Sequence, residues 1–104
     1  MLLVTTDTIP GKNLEMLGLV TSNVVRAKHI GKAFLANMRA IGGGEIPEYT
    51  ELMYETRRVA IDRVINVAKH MGADAIVSVK FDACSVMDGS SEVMVYGTAV
   101  KYLN

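Results

Sequence analysis

The residues of this chain that could do chemistry are few: Cys84 with Asp82 two places before it, the histidines His29 and His70, the arginines Arg57 and Arg63, and the run Gly42, Gly43, Gly44 with Glu45 behind it. Cysteine is a soft metal ligand, histidine a borderline one and aspartate a hard one that often completes such sites, so Cys84, Asp82 and His70 form the candidate metal set. There is no C-x-x-C and no H-x-x-x-H, and the spacing of a structural zinc site is therefore absent. Cys84 and Asp82 stand two residues apart in an alternating stretch, which puts them on one strand face and permits a shared site without demanding one. The residues favour an inert, half-buried cysteine and a His70 that serves the C-terminal end of a helix dipole. Nucleophilic catalysis has less behind it: no histidine is near Cys84 in sequence, and Ser90 and Ser91 fall in a turn. No catalytic residue is assigned, and a binding or scaffold role is expected ahead of an enzyme.

The glycine run raises the question of a phosphate cradle. Such a cradle needs glycines before a helix whose free N–H groups face the anion, usually with a lysine or hydroxyl close behind. Here Glu45, Glu48 and Glu51 follow. Three carboxylates repel phosphate, whereas acids in a first turn suit the positive end of the helix dipole and Pro47 suits its N1 region. Upstream, Ile30, Phe34, Met38 and Ile41 share one face of a short helix, and Gly42 stands where a left-handed cap belongs. The glycines are therefore read as a hinge between two helices.

The second helix is expected from about Glu48 to Met71, a run free of glycine and proline that Gly72 terminates. Its apolar residues (Leu52, Met53, Val59, Ala60, Ile61, Val64, Ile65, Val67, Ala68 and Met71) span roughly 240° on a helical wheel, where one sheet needs a stripe of only about 100°. A second copy of the chain is the expected cover, in a closed symmetric ring or dimer. Arg57 and Arg63 fall inside that arc. Burying an unpaired guanidinium costs several kcal/mol, so each is expected to meet a carboxylate (Glu45, Glu48, Asp74 or Glu92) across an interface or to a loop, or else an anionic ligand.

Strands account for the rest. Leu2 to Thr6 reads as a short strand closed by the turn signal Ile9-Pro10-Gly11, and Leu14 to Arg26 as a second, broken at Gly18 and at Thr21 to Asn23. Asp74 to Val86 alternates Val77, Val79, Phe81 and Ala83 against Ser78, Lys80, Asp82 and Cys84. The Asp88-Gly89 turn then sends Glu92 to Leu103 back in a hairpin, with Gly97 and Ala99 small enough to let the long helix approach.

With 104 residues, 50% of them apolar, and 11 basic against 11 acidic side chains, the chain fits one α+β domain covering residues 1–104, two layers with the long helix on a small antiparallel sheet. A pI near 6.7 gives no electrostatic excess for nucleic acid or an anionic membrane surface, so neither is an expected partner. One cysteine cannot form an internal disulfide, the start lacks an export signal, and a cytoplasmic location is expected. The seven methionines read as core filler.

Taken in order, "TTDTIPG", "LGLVTSNVV", "GGGEIPEYTEL", "TRRVAIDRV", "AKHMGADAIVSVKFD" and "YGTAVKY" resemble the YbjQ-like family of small bacterial and archaeal proteins across nearly the whole chain. The resemblance implies a dodecin-subunit-like fold and a homopentamer; no cofactor is assigned, and the family's heavy-metal-binding label makes a transition or heavy metal ion the candidate. The family pattern falls on Gly43, Gly44, Glu45, Tyr49 and Thr50, on Arg57, Ala60 and Arg63, on Gly72, Ala73 and Ala75, and on Tyr96, Gly97, Thr98 and Ala99. None of these is part of a cysteine–histidine cluster. Where family members often carry a glycine and an asparagine after the second strand, this chain has "TSNVVRAKH", so a differently shaped loop is expected there. The expected role is an oligomeric small-ligand-binding or scaffold module, its ligand at subunit interfaces near Gly43, Gly44, Glu45, Tyr49, Arg57 and Arg63. The alternative is a heavy-metal binder or an enzyme using Cys84 and nearby polar residues.

Overall fold

The computed structural model of the protein describes residues 1–27, 47–84 and 90–104. The first helix around Ile30 to Ile41, the hinge with Gly43, Gly44 and Glu45, His29 and the Asp88-Gly89 turn lie outside the described residues. Along the chain come β1 (Leu2–Leu3), β2 (Leu14–Ala27), α1 (Pro47–His70), β3 (Ala75–Cys84) and β4 (Ser90–Tyr102). The strands form one sheet in the order β1-β3-β4-β2, with α1 laid across β2 and β4.

The α+β reading holds, with one refinement. The sheet is mixed, because the two-residue β1 pairs parallel with the start of β3, while β3, β4 and β2 are antiparallel neighbours. β2 has a register shift between Met16 and Gly18 but is not broken at Thr21 to Asn23, which pair in sequence with Tyr96, Val95 and Met94. Ladder hydrogen bonds along a 13-residue partner override the turn tendency of Thr-Ser-Asn.

Local chemistry explains the ends of α1. Pro47 opens it with Glu48 in the first turn and Lys69 and His70 in the last, charges that suit the helix dipole. Gly72 closes it at φ +82°, a conformation open to glycine because it has no Cβ. The amide of Gly72 donates to the Lys69 carbonyl and that of Ala73 to the Ala68 carbonyl, each at 3.0 Å, the paired bonds of a Schellman cap.

The buried residues of α1 are Leu52, Thr56, Ala60, Val64 and Ala68, one row at spacing four. Such a row drifts about 40° per step around the axis, so a wheel, which collapses the axis, spreads this narrow seam over a wide sector. Two flanking rows run about 90° to either side of it: Met53, Arg57, Ile61 and Ile65 on one, Glu55, Val59, Arg63, Val67 and Met71 on the other. Val67 and Met71 are exposed, and Met53, Val59, Ile61 and Ile65 are only half-buried. The 240° arc is thus a winding seam plus two apolar flanks that the sheet does not cover. The same geometry places Arg57 and Arg63 within the single chain: each sits on a flank, on opposite sides of the seam, and both are exposed there.

On the helix side of the sheet, Val20, Val24, Ile76, Val79, Val93, Val95 and Ala99 pack with Ala60, Val64 and Ala68. Close approach is set by the helix alanines and by Ser22, whose hydroxyl donates to the Ala60 carbonyl at 2.6 Å. On the other side, Ala75, Val77 and Val100 pack under Val4, Ile9, Leu14 and Tyr102.

Val77 therefore does not share a face with Val79, Phe81 and Ala83 as simple alternation predicts. Ser78, at φ +53°, adds a residue to β3: Val77 pairs with Thr98 and Lys80 with Tyr96, leaving two residues opposite Gly97. This bulge resets the alternation, so Val79 returns to the helix side. Gly97 serves the bulge rather than the helix. A Cβ built there would lie 2.9 Å from both Ile76 Cγ2 and the Val77 carbonyl oxygen.

Candidate functional site

After the bulge, Phe81 and Ala83 pair with Val95 and Val93, and Lys80, Asp82 and Cys84 with Tyr96, Met94 and Glu92. Paired residues share a face, so the distal half of β3 offers two chemically different surfaces.

On the helix side, Met53, Arg57, Phe81, Ala83 and Val93 line an open groove of about 350 Å³. Among the described residues its walls are apolar apart from one guanidinium. Arg57 lies 5.2 Å from the centre of the Tyr54 ring, a cation–π contact that orients the side chain. Tyr49 is about two turns before Arg57, its hydroxyl donating to the Ser90 carbonyl at 3.0 Å, which ties the start of α1 to the start of β4. Arg63, on the other flank, donates to the Asn23 carbonyl at 3.4 Å. The structure thus brings Arg57 into a groove and sends Arg63 to the β2 side. Within the single chain and among the described residues neither pairs with Asp74 or Glu92: Asp74 accepts from the Tyr102 amide at 2.8 Å, and Glu92 accepts from Asn23 Nδ2 at 3.4 Å.

On the other face, Cys84 and Asp82 do share a side. The Cys84 thiol is exposed and donates to Glu92 Oε2 at 3.5 Å. Desolvation of its inner side, the hydrogen bond to Glu92 and the negative charges of Glu92 and Asp82 push the thiol above its ordinary range. A thiol held protonated is a weak nucleophile. His70 is not part of this cluster. It ends α1, its Nδ1–H donating to the Asn66 carbonyl at 2.7 Å, beside the start of β3, whereas Cys84 closes that strand roughly 30 Å further along at strand rise. Among the described residues no group of three or more His, Cys, Asp or Glu side chains could hold a metal ion. One exposed cysteine and two carboxylates do not fit a closed soft-metal site. Among the described residues no helix is long and apolar enough to cross a membrane.

The Arg57 groove was missed in its details because no spacing rule joins Met53 to Phe81. The signal that was present was an arginine breaking an apolar row of the helix, and the bulge at Ser78 had none beyond a serine in a valine-rich strand.

Residues 1–103 match the family model described as "Putative heavy-metal-binding" (YbjQ_1). The chain is 53% identical over 102 residues to the UPF0145 protein VP1283 of Vibrio parahaemolyticus serotype O3:K6, with 97% of each chain covered. It is 50% identical over 104 residues to a UPF0145 protein of Thermosipho melanesiensis, covering 99% of this chain and 96% of that one. Among solved structures, a protein of unknown function from Pediococcus pentosaceus ATCC 25745, described as belonging to the DUF74 family, superposes with a TM-score of 0.71 at 13% identity, covering 98% of this chain and 97% of that one. That likeness supports the fold.

Proposed function

Because the chain belongs to the YbjQ-like family, we propose that it works as a homo-oligomeric module, a ring of five on the family resemblance, which binds a small ligand where subunits meet around Arg57. The observation that carries this reading is the helix. α1 gives one row of residues to its own sheet and leaves two apolar flanks half-exposed.

Val67→Glu tests the reading. Val67 is 41% exposed in the single chain, so a charge there changes protomer stability by less than about 0.5 kcal/mol. Buried against a second subunit, the same carboxylate costs several kcal/mol and dissociates the assembly. Sedimentation velocity on both proteins shows a faster wild type if the reading holds, and two identical slow species if it fails.

A second reading, heavy-metal binding, has behind it the family description and the shared face of Cys84, Asp82 and Glu92. It requires further donors beyond the described residues of one chain. Cys84→Ala removes the soft ligand, so cadmium uptake that is unchanged in this variant excludes it.

A further inference from the structure

Two edges of the sheet have no strand beyond them among the described residues. One is β2 along its whole length, last in the sheet order. The other is β3 from Lys80 to Cys84, because β1 and the residues after it pair with β3 only as far as Val79. From Met16 to Val25, β2 holds no charge and no proline, and its Leu19 and Val25 are 72% and 57% exposed. A long uncharged edge is a template for another strand, and proteins that keep one in water shorten, charge or cover it. We propose that the β2 edge of one copy of this chain adds to the Lys80–Cys84 edge of β3 in the next copy, so that the sheets run on from subunit to subunit and the added strand closes the Arg57 groove. The proposal rests on the oligomeric reading above and names the surfaces that meet.

Three features select this pairing. The helix layer matches the sheet layer: the Met53, Arg57, Ile61 and Ile65 flank lies on the β3 side, where Arg57 lines the groove with Phe81, and the Val59, Arg63 and Val67 flank lies on the β2 side, where Arg63 reaches Asn23. Joining β3 to the next copy's β2 therefore brings one apolar flank against the other. Charge agrees as well. A rotation about an axis along the strands keeps each residue at its own level, so Arg57 comes to the level of Glu55 on the facing flank. The competing pairings do worse. An antiparallel β3–β3 contact centred on Asp82 puts like charges opposite each other. A β2–β2 contact closes at two subunits and leaves the β3 edge, the groove and the Met53 flank open.

The single native cysteine makes the test direct. Cys84, Glu92 and Val25 stand at one level of the sheet, so Val25 of the next copy falls beside Cys84. Within one chain β4 separates the two residues, which puts them about 9.5 Å apart, beyond the roughly 7 Å a disulfide can bridge. Oxidised Val25→Cys is therefore expected to give a ladder of covalent multimers on a non-reducing gel, and Val25→Cys/Cys84→Ala to lose every rung and run as a single chain. Asn23→Cys/Asp82→Cys/Cys84→Ala, whose two cysteines stand together at the level of Met94, provides the same readout if Val25→Cys misfolds. A wild type that sediments as an oligomer while neither variant gives links that need both of its cysteines overturns the edge pairing and leaves the oligomer standing. A covalent dimer that persists without Cys84 overturns it in favour of β2–β2. A wild type that sediments as a single chain removes both readings.

Discussion

Replacing Gly97 with alanine puts a methyl group into the crowded floor of the β3 bulge. The new carbon would lie 2.9 Å from Ile76 Cγ2, 2.9 Å from the Val77 carbonyl oxygen and 3.4 Å from Val79 Cα, where unstrained carbon contacts sit near 3.5–4.0 Å. The isoleucine methyl can turn away, but the other two are backbone atoms, so the bulge itself must move by about half an ångström. Overpacking of this kind costs about 1–3 kcal/mol, and the smaller unfolded-state entropy of alanine returns about 0.4–1 kcal/mol. A net loss of about 1–2 kcal/mol lowers the melting temperature by roughly 5–15 °C in a chain of this size. Circular dichroism melts should be run at one fixed protein concentration, since assembly makes the midpoint concentration-dependent. Gly72→Ala is the control: nothing lies within 4 Å of its added Cβ, so its cost of about 1–2 kcal/mol comes from the left-handed backbone alone. Equal melting of Gly97→Ala and wild type would refute the crowding, and with it the account of why Phe81 and Ala83 face the groove.

Two further outcomes follow from the same region. Ser78→Val forces a β-branched side chain to φ +53°, so urea unfolding should show a loss of about 1–3 kcal/mol; an unchanged midpoint would mean the bulge sits elsewhere. Glu92→Gln removes the negative charge that helps raise the Cys84 thiol and puts an uncharged amide in place of the carboxylate that accepts from it, so the pH midpoint for alkylation by iodoacetamide should fall relative to wild type, and a midpoint that stays put or rises contradicts the pairing.

Much of this fold was legible because its signals are local. The end of α1 could be read from Gly72, whose cap needs no tertiary partner, and the hairpin strands from their alternation. The Val77–Val79 reading failed because a single inserted residue reverses every face after it, and Ser78 can enter a left-handed conformation without advertising it. That Arg57 and Arg63 stand off their own sheet was not legible, because a wheel discards height along the axis: the seam winds away from each arginine at the level where it stands. The pairing of β1 with β3 was not legible at all, since two residues carry no pattern. Of the candidate site, Arg57 was visible as a charge in an apolar row, whereas Met53, Phe81, Ala83 and Val93 meet it only through long-range packing.

The central claim is that the flanks of α1 are subunit contacts. Native mass spectrometry of untagged protein, taken over a series of concentrations from micromolar upward, tests it most directly. The account predicts one closed multimer, five chains on the family resemblance, together with any retained ligand as added mass. A folded species of 11.3 kDa at every concentration would contradict it.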